Sequence, residues 1–217
     1  MNEESVRTEL DTILQISQLP GLASDLQVTL RGQFPMPCPD PSASPQLIAI
    51  GGGPGVGKSY FYEYLTAQTS FPKTHVLHDP DLIMQAIPDY QRDYCVDPIQ
   101  AFQQWELPAR HMSHTLLLDA VMQRQTIVYL RSLALTDSLL LLNYLKNIGY
   151  EIIIHLLTCA MPTALRRIGE RQASIHRHLP NELIVQRHNA VMAHIPSLQR
   201  IADRYCQYDN SEDGVIL

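Results

Sequence analysis

Gly52-Gly53-Pro54-Gly55-Val56-Gly57-Lys58-Ser59 reads G-x-x-x-x-G-K-S. This is the pattern of a phosphate-cradling loop, and each residue type has a physical task. The glycines let the backbone curl so that successive N–H groups face one anion. A helix beginning near Gly57 adds its positive N-terminal end to the same point. Lys58 brings a flexible cation to the outer phosphates, and the Ser59 hydroxyl is placed for Mg²⁺. Tyr60 follows directly and completes the set of cofactor-site candidates. The flanks agree with the reading. Leu47-Ile48-Ala49-Ile50 is a short apolar run suited to a buried parallel strand, and Tyr60, Phe61, Tyr64 and Leu65 recur at helical spacing.

The chain has 217 residues, 45% hydrophobic and 18% charged, which fits one globular domain with a substantial core. Its formal net charge of −6 argues against general nucleic-acid binding. Met1-Asn2-Glu3-Glu4 lacks the basic-then-apolar layout of a signal peptide, and no apolar run reaches membrane-spanning length. Cys38, Cys95, Cys159 and Cys206 are far apart and form no C-x-x-C pair. Four free thiols in a reducing cytoplasm is the expectation, and a secreted effector without a signal peptide is compatible with the same features.

Outward from the loop, strands and helices alternate. Val6, Leu10, Ile13, Leu14 and Ile16 mark an amphipathic helix over residues 5–19 that ends at Pro20-Gly21, and an apolar stretch follows from Leu22 to Leu30. Phe34 to Pro45 holds five prolines in twelve residues, too many for helix or central strand. The expected division is a helical appendage over 1–33, a linker over 34–45 and a catalytic domain over 46–217. His75-Val76-Leu77-His78 reads as a strand about thirty residues after the first, the length of one βαβ unit. It is expected to lie beside the strand that feeds the loop. Residues 88–97 read as loop, 99–124 as helix bent or broken at Pro108, and 126–130 as strand. A Leu-rich helix over 137–147, a strand over 151–157, a helix from Met161, and a long helix capped by Asn181-Glu182 to about Arg204 complete the order, with a last short strand at 205–208. The expected fold class is α/β: the three-layer α/β/α arrangement of P-loop NTPases on a mainly parallel sheet, with the N-terminal helices attached.

Asp79 and Asp81 sit at the carboxyl end of a strand, where open α/β sheets bind ligands. A carboxylate there can orient Mg²⁺ or take a proton from a hydroxyl, or simply cap the following helix; Asp79 suits the cap better than Asp81. Thr115–Asp119 resembles a strand ending in a metal-binding Asp. Only six residues separate it from the next strand, too few for a parallel crossover, so Asp119 is expected on an exposed helix face. Arg166, Arg167, Arg171 and Arg177 surround the polar break at 174–180. Arginines there would neutralise transferring phosphate, or form a solvated face with pairs such as Arg166 and Glu170. His176, His178 and His188 lack a recognisable metal spacing, so the histidines are expected at the surface and Trp105 in the core. No N-K-x-D base-reading motif of a GTPase is present.

Taken in order, these features resemble the zeta toxin family of small-molecule kinases over roughly residues 45–208. The residues that carry the resemblance are the loop at 52–59, Asp79-Pro80-Asp81 with Pro88-Asp89-Tyr90 behind it, and Thr136-Asp137. Arg171 followed by Arg177-His178-Leu179-Pro180 completes the match. The resemblance implies ATP and Mg²⁺ as cofactors, Asp81 as catalytic base, and Arg171 and Arg177 as phosphate ligands beside Lys58. It also implies a small hydroxyl acceptor and an antitoxin-like protein partner. The family's third strand usually ends in Glu-Gly-Thr, whose Glu helps to hold UDP-N-acetylglucosamine. Leu130-Arg131-Ser132 stands there instead. The phosphate machinery is thus expected to be retained and the acceptor side rebuilt, with Asp79, Arg131 and Asp137 as acceptor-binding candidates. An ATP-binding regulatory or protein-interaction module without transfer activity is the alternative.

Overall fold

The computed structural model describes residues 2–38, 44–172 and 180–212, with the backbone alone at 171 and 172. Five strands form one sheet, parallel throughout: β1 (Gln46–Gly51), β2 (Val76–His78), β3 (Ile127–Leu130), β4 (Glu151–Thr158) and β5 (Arg204–Asp209). Their order is β2-β3-β1-β4-β5. β2 is therefore an edge strand, and β3 lies between it and the loop-bearing β1, which corrects the expected adjacency. The long connection that follows β2 carries the chain back and inserts β3 between β2 and β1, its residues Ile127–Leu130 in register with Leu47–Ile50.

Alternation along the strands makes the layers. Leu47, Ala49, Ile127, Tyr129, Ile152, Ile154 and Leu156 face one side, where α1 (Glu3–Leu14), α6 (Pro98–Met122), α7 (Thr136–Asn147) and α9 (Asn181–Ile201) bury Leu10, Leu117, Leu141 and Leu198 against them. Ile48, Ile50, Val128, Leu130, Ile153 and Leu157 face the other, under Phe61 of α3 (Lys58–Thr66). Val6, Leu10 and Leu14 recur every four residues, so one stripe of α1 enters the main core, with Leu10 fully buried. α2 (Ser24–Gln33) adds Leu30 to a second cluster with α4 (Pro80–Gln85), α5 (Pro88–Tyr94) and α6. The N-terminal helices thus supply core as well as leading into the linker.

Several local expectations change. Residues 88–94 are helical, because Pro88 suits a first helical turn and Tyr90 is buried under α6. Pro108 lies inside α6 without ending it. Asp119 is helical as expected, but it is half-buried and ion-paired with Arg31 of α2. Pro180, which offers no side-chain bond, is the N-cap of α9, and the helix stops at Ile201 because β5 starts at Arg204. Trp105 is half-buried and donates Nε1–H to Asp93 at 3.0 Å. No helix among the described residues is long and apolar enough to cross a membrane.

Candidate functional site

The loop leaves the carboxyl end of β1 and enters α3 at Lys58, with Gly57 as N-cap in the left-handed region at φ +90°. Glycine has no side-chain oxygen to satisfy the first helical N–H groups, so they stay available to an anion. Gly52 also needs its missing Cβ. Its φ is +135°, and a methyl group would overlap the Leu157 carbonyl. Lys58 Nζ donates to the carbonyls of Gly52 and Gly53, both at 2.9 Å, which lays the ammonium along the loop. Ser59 and Tyr60 are exposed at the start of the helix. Gly53, Pro54, Gly55 and Val56 lie between these anchors. His188 Nε2–H donates to the Pro54 carbonyl, and Asn210 Nδ2–H to the Val56 carbonyl, each at 2.8 Å.

Beside the loop, Gly52 N–H donates to Ser132 O at 3.2 Å and Arg131 N–H to Ile50 O at 3.3 Å, so the chain leaving β3 runs along the chain leaving β1. This brings Arg131 next to the loop. Arg131 is half-buried. Burial works against its charge, yet Tyr129, Asp137, Asp81 and Glu106 around it raise its pKa above the usual arginine range. Asp81, Asp137 and Glu106, far apart in sequence, thus all act electrostatically on this one cation, while Glu106 itself is ion-paired with Arg110 of α6. Asp79 caps α4: its Oδ1 accepts from the Asp81 N–H at 3.0 Å. Asp137 lies in the first turn of α7, and its Oδ1 accepts from Ser138 Oγ at 3.3 Å.

Histidines line the same region. His78 ends β2 and stacks on Tyr129 at 4.9 Å and 3°, and on His114 of α6 at 5.4 Å and 13°. Both imidazoles are 1% exposed, which overturns the expectation of surface histidines; His188 is buried too. His78 Nδ1 meets the Ser113 hydroxyl at 3.0 Å, while His78 Nε2 and His114 Nδ1 are buried without a hydrogen-bond partner among the described residues. Burial, then His114 and Arg131, hold His78 well below the usual histidine range. Burial, then Arg131, Arg110 and His111, push His114 down to about 3. Both rings are neutral at physiological pH, as befits groups packed beside a fixed guanidinium.

The remaining candidates divide. Leu130 points away from Arg131 into the apolar layer with Ile50, Val56 and Phe61, because neighbouring strand residues face opposite ways. A carboxylate at that position would be buried in hydrocarbon. Arg166 pairs with Glu170 at 2.9 Å on an exposed helix face of α8 (Met161–Gln172). Arg167 Nη1–H donates to the Asn210 carbonyl at 2.8 Å. The backbone of Arg171 is helical, and Arg177, His176 and His178 lie outside the described residues. Among the described residues no group of three or more His, Cys, Asp or Glu side chains is arranged to hold a metal ion.

Glu106, Arg110, His114, His78 and Asn210 escaped the sequence reading as site residues, and His188 entered it only as a metal-ligand candidate that was set aside. The first three recur at i, i+4 and i+8, a polar stripe on a helix that could have been noticed. Nothing near His188 or Asn210 in the chain points to the loop.

A family model described as Zeta toxin matches residues 33–216. Among solved structures, one from the PezAT chromosomal toxin–antitoxin system of Streptococcus pneumoniae is 20% identical with a TM-score of 0.63, over 89% of this chain and 78% of that one. A putative kinase from Chloroflexus aurantiacus is 16% identical with a TM-score of 0.52, over 78% and 90%. The AvrRxo1-ORF1:-ORF2 complex with ATP is 13% identical with a TM-score of 0.55; the match covers 99% of this chain but 64% of that one. No curated protein sequence matches significantly.

Proposed function

The chain belongs to the zeta toxin family, and from that premise we propose that it is a Mg²⁺–ATP-dependent phosphotransferase acting on a hydroxyl of a small nucleotide-sugar or nucleotide-like acceptor. One observation carries the reading. The phosphate loop and the Asp81–Arg131 cluster leave neighbouring parallel strand ends, tied together by Gly52 N–H on Ser132 O. Donor and acceptor would meet across that seam.

In this reading the loop amides and Lys58 hold the β- and γ-phosphates of ATP. The Ser59 hydroxyl would hold Mg²⁺, which would supply charge neutralisation for the transferring group. Asp81 takes the acceptor proton as the hydroxyl attacks. Its neighbour Arg131 offers a cation to an acceptor phosphate or carboxylate. Asp79 and Asp137 accept from acceptor hydroxyls. Arg171, at the end of α8, and Arg177 neutralise the transferring phosphoryl in this reading, as the family membership suggests. An antitoxin-type protein covering the nucleotide site is the partner this family membership suggests, and the cytoplasm is where ATP and such acceptors are found.

The test is a metabolite extract incubated with protein, Mg²⁺ and ATP, and read by mass spectrometry for a compound heavier by one phosphoryl group. It should form with wild type and not with Asp81→Asn. ATP uptake without any phosphorylated product would favour the binding-module alternative. The acceptor identified from that product then serves to assay Arg171→Ala and Arg177→Ala, each of which should depress turnover.

A further inference from the structure

The phosphate loop is gripped from outside by two buried side chains that come from distant parts of the chain. His188, on α9, is 8% exposed and donates to the Pro54 carbonyl. Asn210, just after β5, is 6% exposed and donates to the Val56 carbonyl. Each is fixed in its turn. The His188 ring lies against Gly53 so closely that a Cβ there would overlap it. The Asn210 backbone donates to Thr158 O at 2.8 Å and accepts from Arg167 Nη1 at 2.8 Å.

A trans peptide sets the consequence. In one planar unit the carbonyl of a residue and the N–H of the next point in opposite directions, and no peptide here is cis. Holding Pro54 O toward α9 turns the Gly55 N–H away from α9. Holding Val56 O toward Asn210 turns the Gly57 N–H away from Asn210. Glycine alone would let both peptides flip, since Gly55 at φ +80° and Gly57 at φ +90° have no Cβ to bias them. A loop that binds anions through its amides needs its carbonyls drawn outward.

We propose that His188 and Asn210 are positioning residues for the nucleotide: by gripping the Pro54 and Val56 carbonyls they aim the Gly55 and Gly57 N–H groups at the phosphates. The inference rests on the nucleotide reading above and adds the groups that preorganise it. It also ties the loop to α9 and, through Arg167, to α8, the two helices that flank residues 173–180.

The test uses the full chain with His188→Phe, which keeps a ring against Gly53 and removes the donor, and Asn210→Leu, which keeps the shape. Each should weaken Mg–ATP binding about tenfold in calorimetry, as expected for a lost hydrogen bond that organises charged-ligand contacts. Adenosine, which has no phosphate, should bind each variant as it binds wild type. In amide NMR the Mg–ATP-induced shift of Gly55 should vanish in His188→Phe, and that of Gly57 in Asn210→Leu. His188→Gln, which retains an N–H donor, should recover much of the affinity. Asn210 grips from the other side, so Asn210→Leu tests the proposal whether or not His188→Phe folds. Wild-type Mg–ATP affinity in both variants, or an equal loss for adenosine, would overturn the proposal. Wild-type protein that takes up no Mg–ATP would remove the nucleotide reading itself and this inference with it.

Discussion

Around Gly52–Ser59 the working groups are main-chain amides supplied by one run of eight residues, whereas around Arg131 they are side chains drawn from α4, α6, α7, β2 and the end of β3. The first region tolerates almost no added atoms: carbons at Gly52, Gly53 or Gly55 would overlap Leu157, His188 or Ala164. The second is set by charge balance, with one guanidinium shared among several carboxylates and two neutral imidazoles. Main-chain chemistry does not depend on side-chain identity, so it suits the part common to all ATP users. Side-chain chemistry can be exchanged residue by residue, so under the proposed function it suits the part that would choose an acceptor.

The difference can be broken most sharply at Lys58. Lys58→Ala removes the side-chain charge carried by the Gly52–Ser59 loop itself, and transfer should fall by about a thousandfold, with Mg–ATP affinity in calorimetry falling as well. Wild-type affinity in that variant would refute the loop reading.

Asp81→Asn probes the other region. Turnover should fall at least about a hundredfold, while Mg–ATP affinity stays at the wild-type level, because a base acts only as the proton moves. Asp79→Asn should be milder, since an amide oxygen can still cap α4. Steady-state kinetics on the identified acceptor, alongside calorimetry, separates the two aspartates.

Acid should distinguish the regions next. The folded protein holds His78 and His114 neutral, whereas the unfolded chain protonates them below about pH 6.5. The unfolded state therefore binds more protons as pH falls, and stability that is full above that pH is lost on acidification toward the pKa of about 3 of His114. For His114 the loss at pH 5 is about 2 kcal/mol. Thermal midpoints at pH 7.5 and 5 should show the fall, and His114→Leu should flatten it. An unchanged slope in that variant would assign the acid sensitivity elsewhere.

The smallest effect is expected at Arg166, whose exposed i,i+4 pair with Glu170 is worth roughly 0.5 kcal/mol or less. Arg166→Ala should leave both stability and turnover near wild type. A large loss would mean that α8 contributes a charge that the placement of Arg166 does not explain.

The chain in one dimension determined the strand–loop–helix at 46–66, because the loop's function needs contiguous residues with particular backbone freedom, and such needs are written locally. It also determined the strand–helix alternation and the place of Asp79 and Asp81 at a strand end. Tertiary structure decided the rest. Strand order depends on how the connection after β2 packs, not on any residue in β2, so β3 entered between β2 and β1 unannounced. Burial of His78 and His114 required the stack on Tyr129, formed only when β2, β3 and α6 meet. Leu130 was separated from Arg131 by pleating alone, which sends adjacent residues to opposite layers. His188 and Asn210 reach the loop across 134 and 154 residues of sequence. Contacts over such separations leave no local pattern, because each partner's own neighbourhood is satisfied by its helix or strand, and only the packing of α9 and β5 brings them to Pro54 and Val56.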